Sequence, residues 1–228
     1  MKKRTKKCVI LLSGGLDSSV VLSICNQLKY EIYAISFNYK QRHAKELNLA
    51  KWQAKKHNVK SHKIFTIDLY GGSALTDDIE VPENKDVASI PKTIPVTYVA
   101  GRNLVFLSIA AGYAESLDIN DIYIGVNSVD YSGYPDCRKE FIVSFEKIIN
   151  ECTKKGLEGR SFKIKTPLIN LSKREIVLVG KKNNVDFSKT SSCYNPKNSK
   201  SCGLCDSCLL RQKGFKDAKV KDPLVYDV

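Results

Sequence analysis

Ser13-Gly14-Gly15-Leu16-Asp17-Ser18-Ser19 sets two adjacent glycines, three hydroxyls and a carboxylate directly after the apolar run Cys8-Val9-Ile10-Leu11-Leu12. Paired glycines let a backbone pass close to an anion, serine hydroxyls donate to it, and the free N–H groups of a following helix point at the same spot. The chemistry this string suits is a pyrophosphate cradle. A Walker A loop needs Gly-x-x-x-x-Gly-Lys-Ser/Thr, and no Lys follows here. The plainer alternative is a strand-to-helix turn with Asp17 or Ser18 as N-cap.

Cys193, Cys202, Cys205 and Cys208 have the spacing C-x8-C-x2-C-x2-C. Two overlapping C-x2-C steps converge three sulfurs, and Cys193 can fold back to complete a tetrahedron. Four thiolates suit Zn²⁺ in a structural role, and an iron–sulfur cluster takes the same ligands. A disulfide pair is the alternative that a reducing compartment disfavours. Cys8, Cys25 and Cys152 read as small buried residues, and Cys137 lies in a loop.

Asn127 to Arg138 is polar and aromatic, with Tyr131 and Tyr134 for stacking, Asp130 and Asp136 for base-edge hydrogen bonds and Arg138 for an anionic group. A purine-like ligand needs those groups, and an ordinary long loop has the same composition.

These segments require a scaffold. Cys8–Leu12 reads as a buried strand, followed by helix (Asp17–Lys29), strand (Ile32–Phe37), helix (Lys45–Lys56) and strand (His62–Leu69). That βαβαβ alternation predicts an α/β fold: a doubly wound, mostly parallel, Rossmann-like sheet with ligands at the carboxyl ends of its strands. Periodicity is lost from Tyr70 to Pro95, a length of loop that is usually functional or mobile. It returns as helix over Asn103–Ser116, strand over Asp121–Gly125 and helix over Glu140–Lys154. A capping-box string, Ser172-Lys173-Arg174-Glu175, opens a helix through Lys181. Residues 1–187 are expected to form the nucleotide-binding domain, and 188–228 a metal-binding segment and tail.

The chain has 228 residues, 43% of them hydrophobic, and a net charge of +13. That excludes disordered, collagenous and disulfide-scaffold classes, and it suffices for one large core. The charge is terminal: residues 1–7 carry +5, 8–138 carry −1 and 139–228 carry +9. The lysines are scattered, without an aromatic-interleaved stripe, so a solvated basic surface is favoured over a nucleic-acid footprint. The basic N-terminus imitates a secretory signal, but Ser13-Gly14-Gly15 and Asp17 end the apolar run too early. A cytoplasmic protein, with no membrane partner and no direct nucleic-acid binding, is expected.

Six strings together resemble, in order, the motifs of the 7-cyano-7-deazaguanine synthase family of PP-loop ATP pyrophosphatases, which have the adenine nucleotide alpha hydrolase-like fold. They are Ser13–Ser18, Phe37-Asn-Tyr-Lys-Gln-Arg-His43, Tyr98-Val-Ala-Gly-Arg-Asn103, Asp130–Arg138, Thr190–Pro196 and Cys202–Cys208. Lys40 stands where Gly is common in that family, and Ala100 where Pro is common.

The resemblance implies conversion of 7-carboxy-7-deazaguanine and ammonia to the nitrile by way of an amide, with two ATP, in queuosine biosynthesis, and a homodimer. It implies ATP and Mg²⁺ at Leu12, Ser13, Gly14, Gly15, Leu16, Asp17, Ser18, Ser19, Phe37 and Gly101. Substrate would lie at Tyr39, Gln41, Arg42, Asn103, Tyr131, Asp136 and Arg138, and Zn²⁺ at Cys193, Cys202, Cys205 and Cys208. Asp17, Arg102 and His43 are the catalytic candidates, with His43 the candidate base by residue type. Three rivals stand beside this reading: a related ligase that passes the activated base to a protein amine, a PP-loop tRNA-modifying enzyme such as a thiolase, and a zinc-ribbon nucleic-acid-binding module.

Overall fold

The computed structural model describes residues 5–41, 45–91, 93–127, 133–197 and 200–228. β1 (Lys7–Leu11), β2 (Glu31–Asn38), β3 (Ser61–Thr66), β4 (Asp121–Tyr123) and β5 (Lys163–Lys165) form a sheet in the order β3-β2-β1-β4-β5, every neighbouring pair parallel. The helices are α1 (Leu16–Gln27), α2 (Lys45–Lys56), α3 (Arg102–Ser116), α4 (Lys139–Cys152), α5 (Lys154–Leu157), α6 (Lys173–Lys182) and α7 (Asp206–Asp217).

β1 is apolar without alternation because both of its faces are covered. Val9 and Leu11, with Ile35 and Phe37 of β2, pack against Leu107 and Ala110 of α3 and Phe145 and Ile149 of α4. Cys8 and Ile10, with Ile32 and Ala34, pack against Val20 of α1, Ala50 of α2, Ile176 of α6 and Phe215 of α7. The sheet is therefore doubly wound, as expected. Strand order reverses between β1 and β4, where Ile10 pairs with Tyr123, so the loops after these two strands open side by side. That switch point is where such sheets bind ligands.

The sequence expectation ran α4 through to Lys154, but Thr153 leaves the helix in an extended conformation (φ −108°, ψ 151°). Its hydroxyl accepts the Gly156 N–H at 3.1 Å and starts α5 instead. The capping box forms: Ser172 Oγ accepts the Glu175 N–H at 3.3 Å, and Glu175 Oε2 accepts the Ser172 N–H at 2.8 Å. β5 and α7 were not anticipated, since Lys-Ile-Lys is too short to show a period and α7 starts among the metal-spaced cysteines.

Within Tyr70–Pro95, Ala74 and Val81 are buried against the four-cysteine cluster, and the Asn84 N–H donates to the Leu204 carbonyl at 2.9 Å. Lys40 takes the left-handed conformation (φ +58°) that glycine adopts without strain.

The C-terminal stretch is fastened by Arg211 of α7, which is 1% exposed. Its Nε and Nη2 donate to the two Asp222 oxygens at 2.8 and 2.9 Å, and its Nη1 donates to Thr190 Oγ1 at 2.8 Å. Removing one partner of such a pair leaves a buried charge uncompensated. Asp222→Ala is expected to lower unfolding free energy by about 3–5 kcal/mol in urea titrations.

Candidate active site

A cavity of about 330 Å³ opens at the β1/β4 switch point. Its floor is the loop from Ser13 to Ser18 between β1 and α1. The Ser13 and Ser18 hydroxyls lie 3.0 Å apart, the Gly15 N–H donates to Ser13 Oγ at 3.2 Å, and the Ser18 hydroxyl donates to the Gly15 carbonyl at 3.2 Å. Gly15 is the N-cap of α1 and supplies no side-chain cap, so the first N–H groups of that helix are left for another acceptor.

Gly14 has φ +86°, and a Cβ there would lie 2.2 Å from the Glu46 carbonyl oxygen. The loop and the first turn of α2 are thus in direct contact. A Cβ on Gly125, after β4, would lie 3.1 Å from the Ser18 nitrogen, so β4 closes on the start of α1 from the other side.

Leu12, Ser13, Gly15, Leu16, Asp17, Ser18, Phe37, Tyr39, Gln41, Arg102 and Asn103 all border the cavity. Phe37 stacks on Phe106 of α3, with ring centroids 3.8 Å apart and ring planes nearly parallel. Arg102 Nη1 donates to the Tyr39 hydroxyl at 3.3 Å. The Tyr39 N–H donates to Gln41 Oε1 at 2.9 Å.

The remaining candidates lie elsewhere. Gly14 turns towards α2, and the Ser19 hydroxyl donates to the Gly15 carbonyl at 2.6 Å. Gly101, at φ +60°, is the N-cap of α3. Asp136 is buried, and its Oδ2 accepts the Asn103 N–H at 2.9 Å, which fixes the start of α3. Arg138 is exposed at the N-cap of α4. Arg42, His43 and Tyr131 lie outside the described residues.

The cavity also brings in residues that the sequence had not singled out. Lys173 Nζ sits 2.9 Å from each Asp17 oxygen. A cation in the first turn of a helix faces the unfavourable end of its dipole, a signal that Lys173 serves something other than α6. Tyr194 and Arg211 complete the wall on the cysteine side, together with Tyr134, one of the stacking rings expected from the sequence.

Glu46, in the first turn of α2, borders the cavity beside Arg102. Burial pushes its carboxyl up to about 7 against the opposing pull of Arg102. Burial also pushes the bordering Cys137 thiol up to about 12. Cys137 is therefore held as a thiol near neutral pH, which disfavours the thiolase rival.

Cys193, Cys202, Cys205 and Cys208 are buried with their sulfurs all within 4.8 Å of one another. Backbone N–H groups converge on them: Cys202 N–H to Cys193 Sγ at 3.1 Å, Asn195 N–H to Cys193 Sγ at 3.3 Å, and Tyr194 N–H to Cys205 Sγ at 3.4 Å. The arrangement can hold a metal ion.

Residues 7–219 match the protein family described as queuosine biosynthesis protein QueC. The chain belongs to the QueC family. Its relatives include the 7-cyano-7-deazaguanine synthase of Citrifermentans bemidjiense, 53% identical over 97% of this chain and 98% of that one. The synthase of the same name from Thermoplasma acidophilum is 53% identical over 97% of this chain and 92% of that one. Among solved structures, the NMN synthetase of Francisella tularensis aligns with a TM-score of 0.51 at 15% identity, over 96% of this chain and 79% of that one. At that identity the likeness concerns the fold alone. The matched stretch spans nearly the whole chain, the residues bordering the cavity and the four cysteines included. No helix among the described residues is long and apolar enough to cross a membrane.

Proposed function

We propose that this QueC-family chain converts 7-carboxy-7-deazaguanine and ammonia to 7-cyano-7-deazaguanine at the expense of two ATP, in the route to queuosine in tRNA. The observation that carries the reading is a single phosphate loop opening into one polar and aromatic cavity, in a chain 53% identical over 97% of its length to a curated synthase of that name.

A carboxylate resists nucleophiles because oxide is a poor leaving group. Attack of its oxygen on the α-phosphorus of ATP releases pyrophosphate and makes AMP the leaving group, and ammonia then displaces AMP to give the amide. The amide oxygen attacks a second ATP in the same way, and departure of AMP with loss of N–H protons leaves the nitrile. One ATP site serves both rounds.

In this reading Leu12 to Ser19, with Phe37 and Gly101 beside them, hold the nucleotide. Arg102 stabilises charge on the α-phosphate or the substrate carboxylate. Tyr39, Gln41 and Asn103 contact the base, Arg42, Tyr131 and Arg138 are further substrate-binding residues, His43 joins Asp17 and Arg102 in catalysis, and Asp136 holds the start of α3 beside the substrate. Asp17 is placed for Mg²⁺, which takes one or two carboxylates with phosphate oxygens and when bound neutralises phosphate charge. Lys173 is the counter-ion that Mg²⁺ would replace.

The cysteine knot suits Zn²⁺, because a tetrahedron with arms of about 2.3 Å has edges of about 3.8 Å, within the observed sulfur separations. A cubane, with each cysteine on a different iron, spreads its thiolates more widely. Residues 188–228 then form the metal-binding part of the site wall, beside the ATP-binding part in 1–187. The protein works in the cytoplasm as a homodimer on small molecules, without a nucleic-acid partner.

The amide supplied in place of the carboxylate tests this directly. It is expected to give nitrile without ammonium and with one AMP per product. No nitrile from the amide would favour a ligase that only passes the activated base to another amine. Amide formation from the carboxylate at fixed total ammonium is expected to rise with pH through the neutral range in initial-rate assays, since ammonia attacks and ammonium does not.

A further inference from the structure

The dehydrating half of the reaction requires a base. When the amide oxygen attacks the α-phosphorus and pyrophosphate leaves, one N–H proton must depart to give the neutral imidate adenylate. When AMP then leaves with the C–O electron pair, the second N–H proton departs and its bonding electrons become the third carbon–nitrogen bond. Two protons per nitrile must reach an acceptor within the cavity.

Among the described residues the charged side chains bordering the cavity are Asp17, Glu46, Arg102, Lys173, Asp206 and Arg211. Arginines and a lysine are poor acceptors, and Asp17 is engaged through both oxygens by Lys173. Asp206 Oδ1 accepts from Asn84 Nδ2 at 2.7 Å, next to the cysteine knot. Glu46 differs from both. Its carboxylate makes no hydrogen bond or ion pair with another described residue, and the charge that acts on it is that of Arg102, which borders the same cavity. The backbone contact of its carbonyl with Gly14 fixes its distance from the phosphate loop.

We propose that the Glu46 carboxylate is the base that takes the N–H protons of the amide and of the imidate adenylate, returning each to solvent through the mouth of the cavity. This rests on the nitrile-forming reading above. An acceptor works best when its pKa lies near the working pH, and burial puts Glu46 at about 7. The groups facing it are Arg102 of α3 and the Tyr39 hydroxyl after β2, with Asp17 and Lys173 also on the cavity wall.

Single-turnover conversion of the amide to nitrile, followed against pH, tests the assignment without any contribution from ammonia ionisation. Wild type is expected to show a rate falling below about pH 7, and Glu46→Gln to lose about a hundred-fold or more in rate together with that acid limb. Glu46→Asp is expected to recover part of both. Pyrophosphate release from ATP and 7-carboxy-7-deazaguanine without ammonium, a step that needs no N–H removal, is expected to fall at least about ten-fold less than nitrile formation in Glu46→Gln. An unchanged nitrile rate or an unchanged acid limb in Glu46→Gln overturns the proposal, and so does equal loss of both activities, which would make Glu46 a part of the nucleotide site. A wild-type protein that makes no nitrile from the amide removes the functional reading itself, and the proposal with it, before any variant is compared.

Discussion

Gly14→Ala is expected to lower adenylation, read as pyrophosphate release from ATP and 7-carboxy-7-deazaguanine, by about a hundred-fold or more while leaving the protein folded. The added Cβ would sit 2.2 Å from the Glu46 carbonyl oxygen and 2.9 Å from the Ala50 nitrogen, both backbone atoms of α2. Neither can rotate away, and φ +86° is itself unfavourable for alanine. The loop must shift by a large fraction of an ångström relative to α2, and displacement of that size at a reacting centre costs orders of magnitude in rate. Near-normal pyrophosphate release would mean that the loop geometry is not what positions ATP.

Cys208→Ser is the second large effect. One thiolate fewer is expected to abolish stoichiometric metal binding, measured by elemental analysis of the purified protein, and to lower Tm and activity together. The knot lies in the site wall: its sulfur on Cys205 accepts the Tyr194 N–H, and the Tyr194 hydroxyl meets that of Tyr134 at 3.4 Å. It also carries the long segment after β3 through Ala74, Val81 and the Asn84–Asp206 hydrogen bond. Loss of the metal therefore loosens two sides of the cavity, and activity is expected to fall by at least about ten-fold, in line with the coupling of metal binding to folding. Full activity in metal-free Cys208→Ser would reduce the knot to a dispensable appendage.

Much of this architecture was legible in residue order. The unbroken apolar run of β1 requires cover on both faces, and the Gly-Gly turn behind it requires a helix start, so the phosphate loop and the doubly wound sheet could be read together. The four cysteines declared themselves by spacing. Lys173 and Glu46 did not, because each has a sufficient local role: one sits in a capping-box string, the other is an acidic residue in a helix's first turn. Only the fold, which brings residues 156 positions apart to 2.9 Å, shows that Lys173 meets Asp17. β5 escaped for a different reason, since three residues paired to β4 carry too little pattern to reveal a strand.

The central claim is that one site activates the same carbon twice, each time through oxygen. The most direct measurement uses 7-carboxy-7-deazaguanine labelled with ¹⁸O at both carboxylate oxygens, incubated with ATP, Mg²⁺ and ammonium, with the AMP and base products analysed by mass spectrometry. The account predicts an unlabelled nitrile and two AMP per nitrile, each carrying one ¹⁸O. Label released as water, or a single labelled AMP accompanied by a base product that keeps the second oxygen, would contradict it.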